Sequence, residues 1–235
     1  MRYNFYINII AFKAILYRII SIAIFTLLFG HSFAFVVGLM SLTIYIIYES
    51  IFCKIFHIRA EHKGCVLWFT GLPCSGKSTL ADSVNQYLKK RGFKTERLDG
   101  DVVRYGGLSD DLGFSKEDRD KNIRRITFVS KVLSRNKIIV LASFVSPYRK
   151  TRQQVKESVT NFVEIFVNAS PIECEKRDVK GMWAKAKCGL IKEFTGYSAP
   201  YEKPFKAHIV CNTKQETISE STNKVIKYLK HRKLI

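Results

Sequence analysis

The sequence predicts an α/β fold, a parallel five-stranded sheet with helices on both faces, preceded by an α-helical transmembrane hairpin. Three observations predict it. From residue 65 onward, apolar runs of strand length alternate with amphipathic stretches. A glycine-rich loop, Gly71 to Ser78, joins the first run to the first of those stretches. Ahead of both, Ile19 to Tyr48 is a stretch of 30 residues without one Asp, Glu, Lys or Arg.

A single helix of that length would be about 45 Å long, against a hydrocarbon core of about 30 Å. Gly30-His31-Ser32 falls in its middle and reads as a turn. The expectation is therefore two helices, near residues 12–29 and 33–52, within an N-terminal domain of residues 1–57. Lys13 and Arg18 lie near one end, and Lys54, Arg59 and Lys63 follow the other. The positive-inside rule then keeps both ends in the cytoplasm, with Arg18 snorkelling towards the inner headgroups. A signal peptide is the competing reading, because residues 19–29 suit an apolar core and Gly30-x-Ser32 suits a cleavage site. The second apolar stretch, which follows at once, argues against it. The expected location is the cytoplasmic membrane, with residues 58–235 facing the cytoplasm.

After a short polar linker, residues 65–70 form a strand-like run. Residues 78–91 carry Leu80, Val84, Tyr87 and Leu88 on one helical face. Residues 94–98 suggest a short strand. The stretch 116–135 has an apolar helical set of Ile123, Ile126, Phe128, Val129, Val132 and Leu133. A β-type run at 137–143, a helix at 148–158 and a strand at 162–169 come next. A short basic helix or lid spans 182–188, and Lys185 and Lys187 there are either a basic surface or part of a lid over ATP. The last strand is 207–212 and the last helix 217–230. Strands alternating with helices imply a parallel sheet covered on both sides.

The chain has 235 residues and a net charge of +19, of which residues 58–235 carry +16. Such a domain attracts nucleotides and anionic lipid headgroups. No aromatic–basic repeat or helix-turn-helix pattern accompanies the charge, so no nucleic-acid partner is expected. The six cysteines form no Cys-x-x-Cys pair and have no histidine cluster beside them. That argues against zinc and for free thiols in a reducing cytosol.

Gly71-Leu72-Pro73-Cys74-Ser75-Gly76-Lys77-Ser78 fits G-x-x-x-x-G-K-[ST], between a strand and a helix, the context such a loop requires. This makes the fold a P-loop NTPase or kinase fold. Its backbone N–H groups point inward at phosphate, and the helix N-terminus adds a favourable dipole. Gly71 to Ser78, with Thr79, are the candidate ATP-binding residues. Lys77 places a charge beside the β- and γ-phosphates, and the Ser78 hydroxyl can ligate Mg²⁺. Leu98-Asp99-Gly100-Asp101 ends the second strand, where ligands gather in open α/β sheets. Taken alone, Asp-Gly-Asp is commonly a turn. Beside a phosphate loop, its two carboxylates can hold Mg²⁺ and take a proton from an acceptor hydroxyl. Asp99 is the first choice for metal and base, and Asp101 the second.

Residues 65–205 resemble the adenylylsulfate kinase (APS kinase) family. The motifs that carry the resemblance are the phosphate loop, Leu98 to Arg104, Asp111 to Ser115, Asp118 to Arg125, Ser143 to Arg149, Arg177 to Gly181, Phe194-Thr195-Gly196 and Pro200-Tyr201-Glu202. The resemblance implies ATP and Mg²⁺ as cofactors and adenylyl sulfate as acceptor. It further implies an acceptor pocket of Asp101, Arg104, Phe114, Arg119, Asn122, Val145, Ser146, Lys180 and Phe194. Arg104 and Arg119 are of the type that pairs with sulfate or phosphate, and Phe114 and Phe194 of the type that sandwiches adenine. Ser146 matches the family position labelled as a phosphoserine intermediate. Nothing near it in sequence would activate it, so direct transfer is expected, with Ser146 only contacting substrate. Lys77, Asp99, Asp101 and Ser146 make up the candidate catalytic set. Arg124 and Arg125 are either part of this site or a solvated helix face. A homodimer is carried as the oligomeric expectation, with no residue of its own to argue for it. The N-terminal segment resembles a short two-helix bacterial membrane domain through Lys13 to Ile20, Leu28 to Ser32 and Tyr48-Glu49-Ser50.

The chain departs from the family pattern at Val102 (usually Asn), Tyr105, the extra glycine of Gly106-Gly107, Ser109, Leu190 and Ala199. A buried Asn-to-Val change would cost acceptor affinity if that Asn bound substrate. Two alternatives therefore stay open: a kinase acting on a cytidine-diphosphate compound, and a membrane-bound nucleotide-binding module without catalysis. Retention of Lys77, Ser78, Asp99, Asp101, Arg104, Asn122 and Lys180 argues against the second.

Overall fold

β1, Cys65–Thr70, is buried at all six positions. A strand apolar on both faces belongs in the middle of a parallel sheet, between two helical layers. A computed structural model, which describes Ile20 and residues 62–235, places it there. The strand order is β2-β3-β1-β4-β5, with β2 Thr95–Asp99, β3 Ile139–Ser143, β4 Phe162–Asn168 and β5 Ile209–Asn212. Every pairing is parallel, and Cys65 sets opposite Ile139 and Val66 opposite Phe162.

Alternation along β1 feeds two cores. Leu67 and Phe69 pack with Leu80, Val84 and Leu88 of α1 (Lys77–Lys89) and with Val225, Ile226 and Leu229 of α7 (Ile218–His231). Val66 and Trp68 pack on the opposite face with Ile123 and Ile126 of α3 (Lys116–Arg135) and Val155 of α4 (Arg149–Ser158). Helix starts are fixed by side chains. The Ser115 hydroxyl accepts from the Asp118 N–H, and Thr217 and Glu220 form a reciprocal capping box at α7. A third cluster joins Leu72 of the phosphate loop to Cys174 on α5 (Pro171–Lys176), Trp183 and Ala186 on α6 (Met182–Lys187), and Phe194.

Several expectations need correction. A helix was missed after Asp99: this residue caps α2 (Gly100–Tyr105) by accepting from the Asp101 N–H at 3.2 Å. The six-residue helix α5 was also unforeseen, although Ser170 before Pro171 is a start signal. Phe128, placed in the α3 core set, is 68% exposed. β3 begins two residues later than expected because Lys137 is left-handed, with φ of 57°, and closes the end of α3. The chain divides into Met1–Ile58 and Arg59–Ile235, and the elements above belong to the second unit. Among the described residues no helix is long and apolar enough to cross a membrane. The expected hairpin near residues 12–52 lies outside them, Ile20 apart. Of the cysteines, the five described are free thiols.

Candidate active site

The phosphate loop leaves β1 at Thr70 and enters α1 at Lys77. A Cβ on Gly71 would stand 2.5 Å from the Val167 carbonyl oxygen and 2.8 Å from Ser75 Oγ, so only glycine fits there. Cys74 (φ 63°) and Gly76 (φ 97°) are both left-handed, which curls the loop. Inside the curl, Ser75 is fully buried and its hydroxyl has no hydrogen-bond partner among the described residues. The Lys77 ammonium donates to the Leu72 carbonyl at 2.6 Å. Burial pushes its pKa down to about 8. An orphaned hydroxyl, a desolvated ammonium and a glycine cradle together fit a phosphate group.

Ser78 Oγ donates to Asp99 Oδ2 at 2.6 Å, and Arg97 Nη2 reaches the same oxygen at 3.4 Å. A hydroxyl and a carboxylate side by side are the hard oxygen donors that Mg²⁺ takes. Next to them, the Asp101 carboxylate pairs with Lys180, which comes from the turn before α6. That hydrogen bond raises the Lys180 pKa.

The acceptor-side residues gather around two arginines. Arg104 Nη1 donates to the Leu112 and Gly113 carbonyls at 2.9 Å, and its guanidinium lies 4.3 Å from the centre of the Phe114 ring. Arg119 Nε donates to the Phe114 carbonyl at 2.8 Å, Nη1 to Thr195 Oγ1 at 2.5 Å, and Nη2 to the Glu193 carbonyl. Arg119 thus fastens the segment before α3 to the segment after α6. Phe114 is 57% exposed, but Phe194 is buried edge-on against Trp183, with ring centres 5.2 Å apart. Asn122 is buried and its Oδ1 has no partner among the described residues. Arg125 is tied to Asp111 and to the Leu108 carbonyl, so it braces a loop and is not a solvated face, whereas Arg124 is exposed. Lys187 pairs with Glu175, and Lys185 is exposed. Val102 is 65% exposed, which removes the premise that a buried Asn was lost there.

Ser146 stands apart from this group. It is 4% exposed and has φ of 39°. Its hydroxyl accepts from Trp68 Nε1 at 3.0 Å and donates to Thr70 Oγ1 at 3.1 Å. Thr70 Oγ1 in turn donates to the carbonyl of Val145 at 2.8 Å. Among the described residues no carboxylate or imidazole touches the Ser146 hydroxyl. The segment is held by Arg152, itself 3% exposed, which donates to the Ser146 and Glu202 carbonyls at 2.6 Å and to Glu164 at 2.8 Å. Arg152→Met would strip the partly buried Glu164 carboxylate and the Ser146 and Glu202 carbonyls of their donor. We expect it to lose about 3–5 kcal/mol of stability, read as a lowered midpoint in urea unfolding; an unchanged midpoint would show that the network carries no stability.

Sequence reasoning assigned no role to Arg177 and Thr213. Arg177 donates to Thr213 Oγ1 and carbonyl at 2.9 and 2.8 Å, and Thr213 Oγ1 donates to the Ser75 carbonyl at 3.1 Å, so the β5–α7 connection is tied to the phosphate loop. Nor did it foresee Asp178, which accepts from the N–H groups of Met182 and Ala184 at 2.8 and 3.0 Å and starts α6. Arg177 and Asp178 stand inside a quoted motif; the partner of Arg177 lies 36 residues on, whereas Asp178 acts on N–H groups just after it. A cavity of about 820 Å³, lined by Leu72, Phe166, Asn168, Tyr197, Tyr201 and Lys214 among others, touches the phosphate loop only at Leu72. Lys77, Ser78, Asp99 and Asp101 do not line it, so the chemistry lies outside it.

Residues 63–212 match the model of a family described as adenylylsulphate kinase. The adenylyl-sulfate kinase of Halothermothrix orenii is 52% identical over 172 residues, which are 73% of this chain and 92% of that protein. A probable adenylyl-sulfate kinase of Pseudomonas aeruginosa is 53% identical over 171 residues, 73% of this chain and 79% of its own. Among solved structures, the Mycobacterium tuberculosis APS kinase CysC in complex with AMPPNP and APS superposes with a TM-score of 0.69 at 36% identity, covering 72% of this chain and 99% of that one. A match of this extent, on a fold that sets the phosphate loop beside Asp99, leaves one assignment: the chain belongs to the adenylylsulphate kinase family.

Proposed function

We propose that the chain transfers the γ-phosphoryl group of ATP to the 3′-hydroxyl of adenylyl sulfate, giving ADP and 3′-phosphoadenylyl sulfate, the activated form of sulfate. The observation that carries this reading is the hydrogen bond between Ser78 and Asp99. It joins the phosphate loop to the start of the acceptor side at one point. On the donor side, Lys77 exchanges the Leu72 carbonyl for phosphate oxygens, and the buried Ser75 hydroxyl gains a partner. Ser78 and Asp99 would hold Mg²⁺, which when bound neutralises charge on those oxygens. Asp99 takes the proton of the acceptor hydroxyl, with Asp101 beside it oriented by Lys180. Arg104 and Arg119 pair with the sulfate and phosphate of the acceptor, Phe114 offers a ring face to its adenine, and Asn122 Oδ1 accepts from a ribose hydroxyl. Transfer is direct and in line. Ser146, whose hydroxyl is held by Trp68 and Thr70 without a base, supports the fold of the Val145–Pro147 segment.

The test is ADP release by the purified protein, with adenylyl sulfate in one set and a cytidine-diphosphate acceptor in another. Turnover on the first and none on the second is expected; the reverse would overturn the acceptor. A second expectation concerns pH. Lys77 titrates at about 8 in the ligand-free chain, and phosphate contact favours its charged form. ATP binding should therefore take up protons near pH 8 and weaken as pH rises beyond it. Calorimetry in buffers of different ionisation enthalpy measures this, and proton release on binding would contradict it.

The same proposal includes a tether. Residues 12–52 form a helical hairpin in the cytoplasmic membrane, and the kinase unit works on the side where ATP is. The charge-free stretch and the flanking Lys13, Arg18, Lys54 and Arg59 support this. A mature chain starting near Phe33 would instead mean cleavage.

A further inference from the structure

The strands of a parallel sheet all begin at one pole, and here that pole is basic. The Lys63 N–H donates to the Leu234 carbonyl at 3.1 Å, and His62 Nε2 donates to the Lys137 carbonyl at 2.8 Å. The Ile139 N–H donates to the Lys94 carbonyl at 2.9 Å, and Asn161 Nδ2 to the Gly64 carbonyl at 2.9 Å. These contacts bring the lead-ins to β1, β2, β3 and β4 together with the C-terminal tail. The C-terminal ends of α1, α3 and α7 point the same way, at Lys89, Arg135 and His231. Lys63, Lys90, Lys94, Lys137, Arg232 and Lys233 are all exposed there. None of these six forms an ion pair among the described residues. In sequence, the described acidic residues nearest these six are Asp82, Glu96, Asp120 and Glu220, with Glu61 just ahead of Lys63. Basic residues after helix ends answer the helix dipole, but Lys63 and Lys94 lead into strands, where no helix end calls for them.

We infer that this pole is a docking surface for an anionic lipid leaflet. The inference rests on the tether proposed above and adds an orientation to it. The polypeptide enters the kinase unit at this pole, through residues 62–64, so a segment anchored in the leaflet delivers the basic surface to the headgroups. Headgroup phosphates complement a cluster of unpaired lysines and arginines. Asp99, Asp101 and the phosphate loop lie at the C-terminal ends of the strands, the opposite pole, and stay open to the cytoplasm.

The experiment uses the full chain in vesicles of phosphatidylcholine alone and in vesicles with phosphatidylglycerol added. Flotation reads the tether, and labelling by a water-soluble amine reagent, resolved by mass spectrometry, reads docking. Lys63, Lys94, Lys137 and Lys233 should label several-fold more slowly on the anionic vesicles, whereas Lys185 and Lys192 should label equally on both. High salt should abolish the difference, because the attraction is screened within about 8 Å at physiological ionic strength and less beyond it. A chain that floats with both vesicles but labels equally on both overturns the docking surface and leaves the tether standing. A chain that floats only with anionic vesicles, its four lysines shielded, supports docking and removes the tether. Shielding by a duplex oligonucleotide in neutral vesicles, equal to that by phosphatidylglycerol, would overturn the lipid assignment.

Discussion

Lys77→Ala is expected to lower kcat by about 10³-fold or more, the scale set by removing a charge-stabilising donor from a transition state, and to leave the fold intact. The ammonium is buried, and its one hydrogen bond goes to the carbonyl of Leu72 in its own loop. It therefore holds no distant element in place. Its burial as a cation opposes folding. In the folded chain burial holds its pKa down to about 8, below the ordinary lysine value of 10.5. The cost is complete below pH 8 and is relieved as pH rises from there towards 10.5. Alanine removes that cost and leaves the Leu72 carbonyl to find another donor, two changes of opposite sign. Thermal melting without nucleotide should stay within a few degrees of the parent, while the upward shift given by an ATP analogue should shrink. Near-parental turnover would remove the case for transfer from this loop.

The second large effect separates one carboxylate, Asp99, from one hydroxyl, Ser146. Asp99→Asn keeps the shape of the side chain but removes the charge that faces Ser78 and the site where Mg²⁺ fits. We expect kcat to fall by roughly 10²–10³-fold. Ser146→Ala removes the acceptor of the Trp68 indole N–H and a donor to Thr70, both inside the sheet. Its cost should appear as about 1–3 kcal/mol of lost stability, with kcat held within an order of magnitude. An obligatory phosphoserine demands the opposite ranking, with Ser146→Ala inactive. Rapid quench with labelled ATP supplies an independent check: labelled protein that forms and passes its phosphate on at a competent rate would defeat direct transfer.

What the sequence revealed follows from how local each constraint is. The phosphate loop was legible because its backbone needs glycine at fixed positions, and Gly71 has Val167 and Ser75 where a side chain would be. Four of the strands were legible from largely apolar runs, since both sheet faces are covered; β2, Thr-Glu-Arg-Leu-Asp at the sheet edge, has no such run and was read only as a short strand. Helices α2 and α5 were not, because six residues make under two turns and show no period; α6, equally short, was read from its Ala- and Lys-rich composition. Phe128 was misplaced because periodicity gives a face but not whether a neighbour covers it. The environment of Ser146 was the least legible of all: Trp68 and Thr70 reach it from β1 and Arg152 from α4, and nothing in a short window announces such a meeting. The acceptor residues were found as a set through family resemblance, while their mutual fastening by Arg119 emerged only in three dimensions.

That fastening has a consequence for affinity. Arg119 uses three of its five N–H donors on Phe114, Thr195 and Glu193 before any ligand arrives. A long side chain freezes out about 1.5–2 kcal/mol of rotamer entropy when it is ordered, and here that loss is incurred when the chain folds. An anion that reaches the remaining donors meets a guanidinium plane already fixed in direction, and its binding constant is higher for it. The converse also holds. If the 193–195 segment frays, through heat or a substitution at Thr195, the same anion must order the arginine itself, and affinity falls although no group touching it has changed.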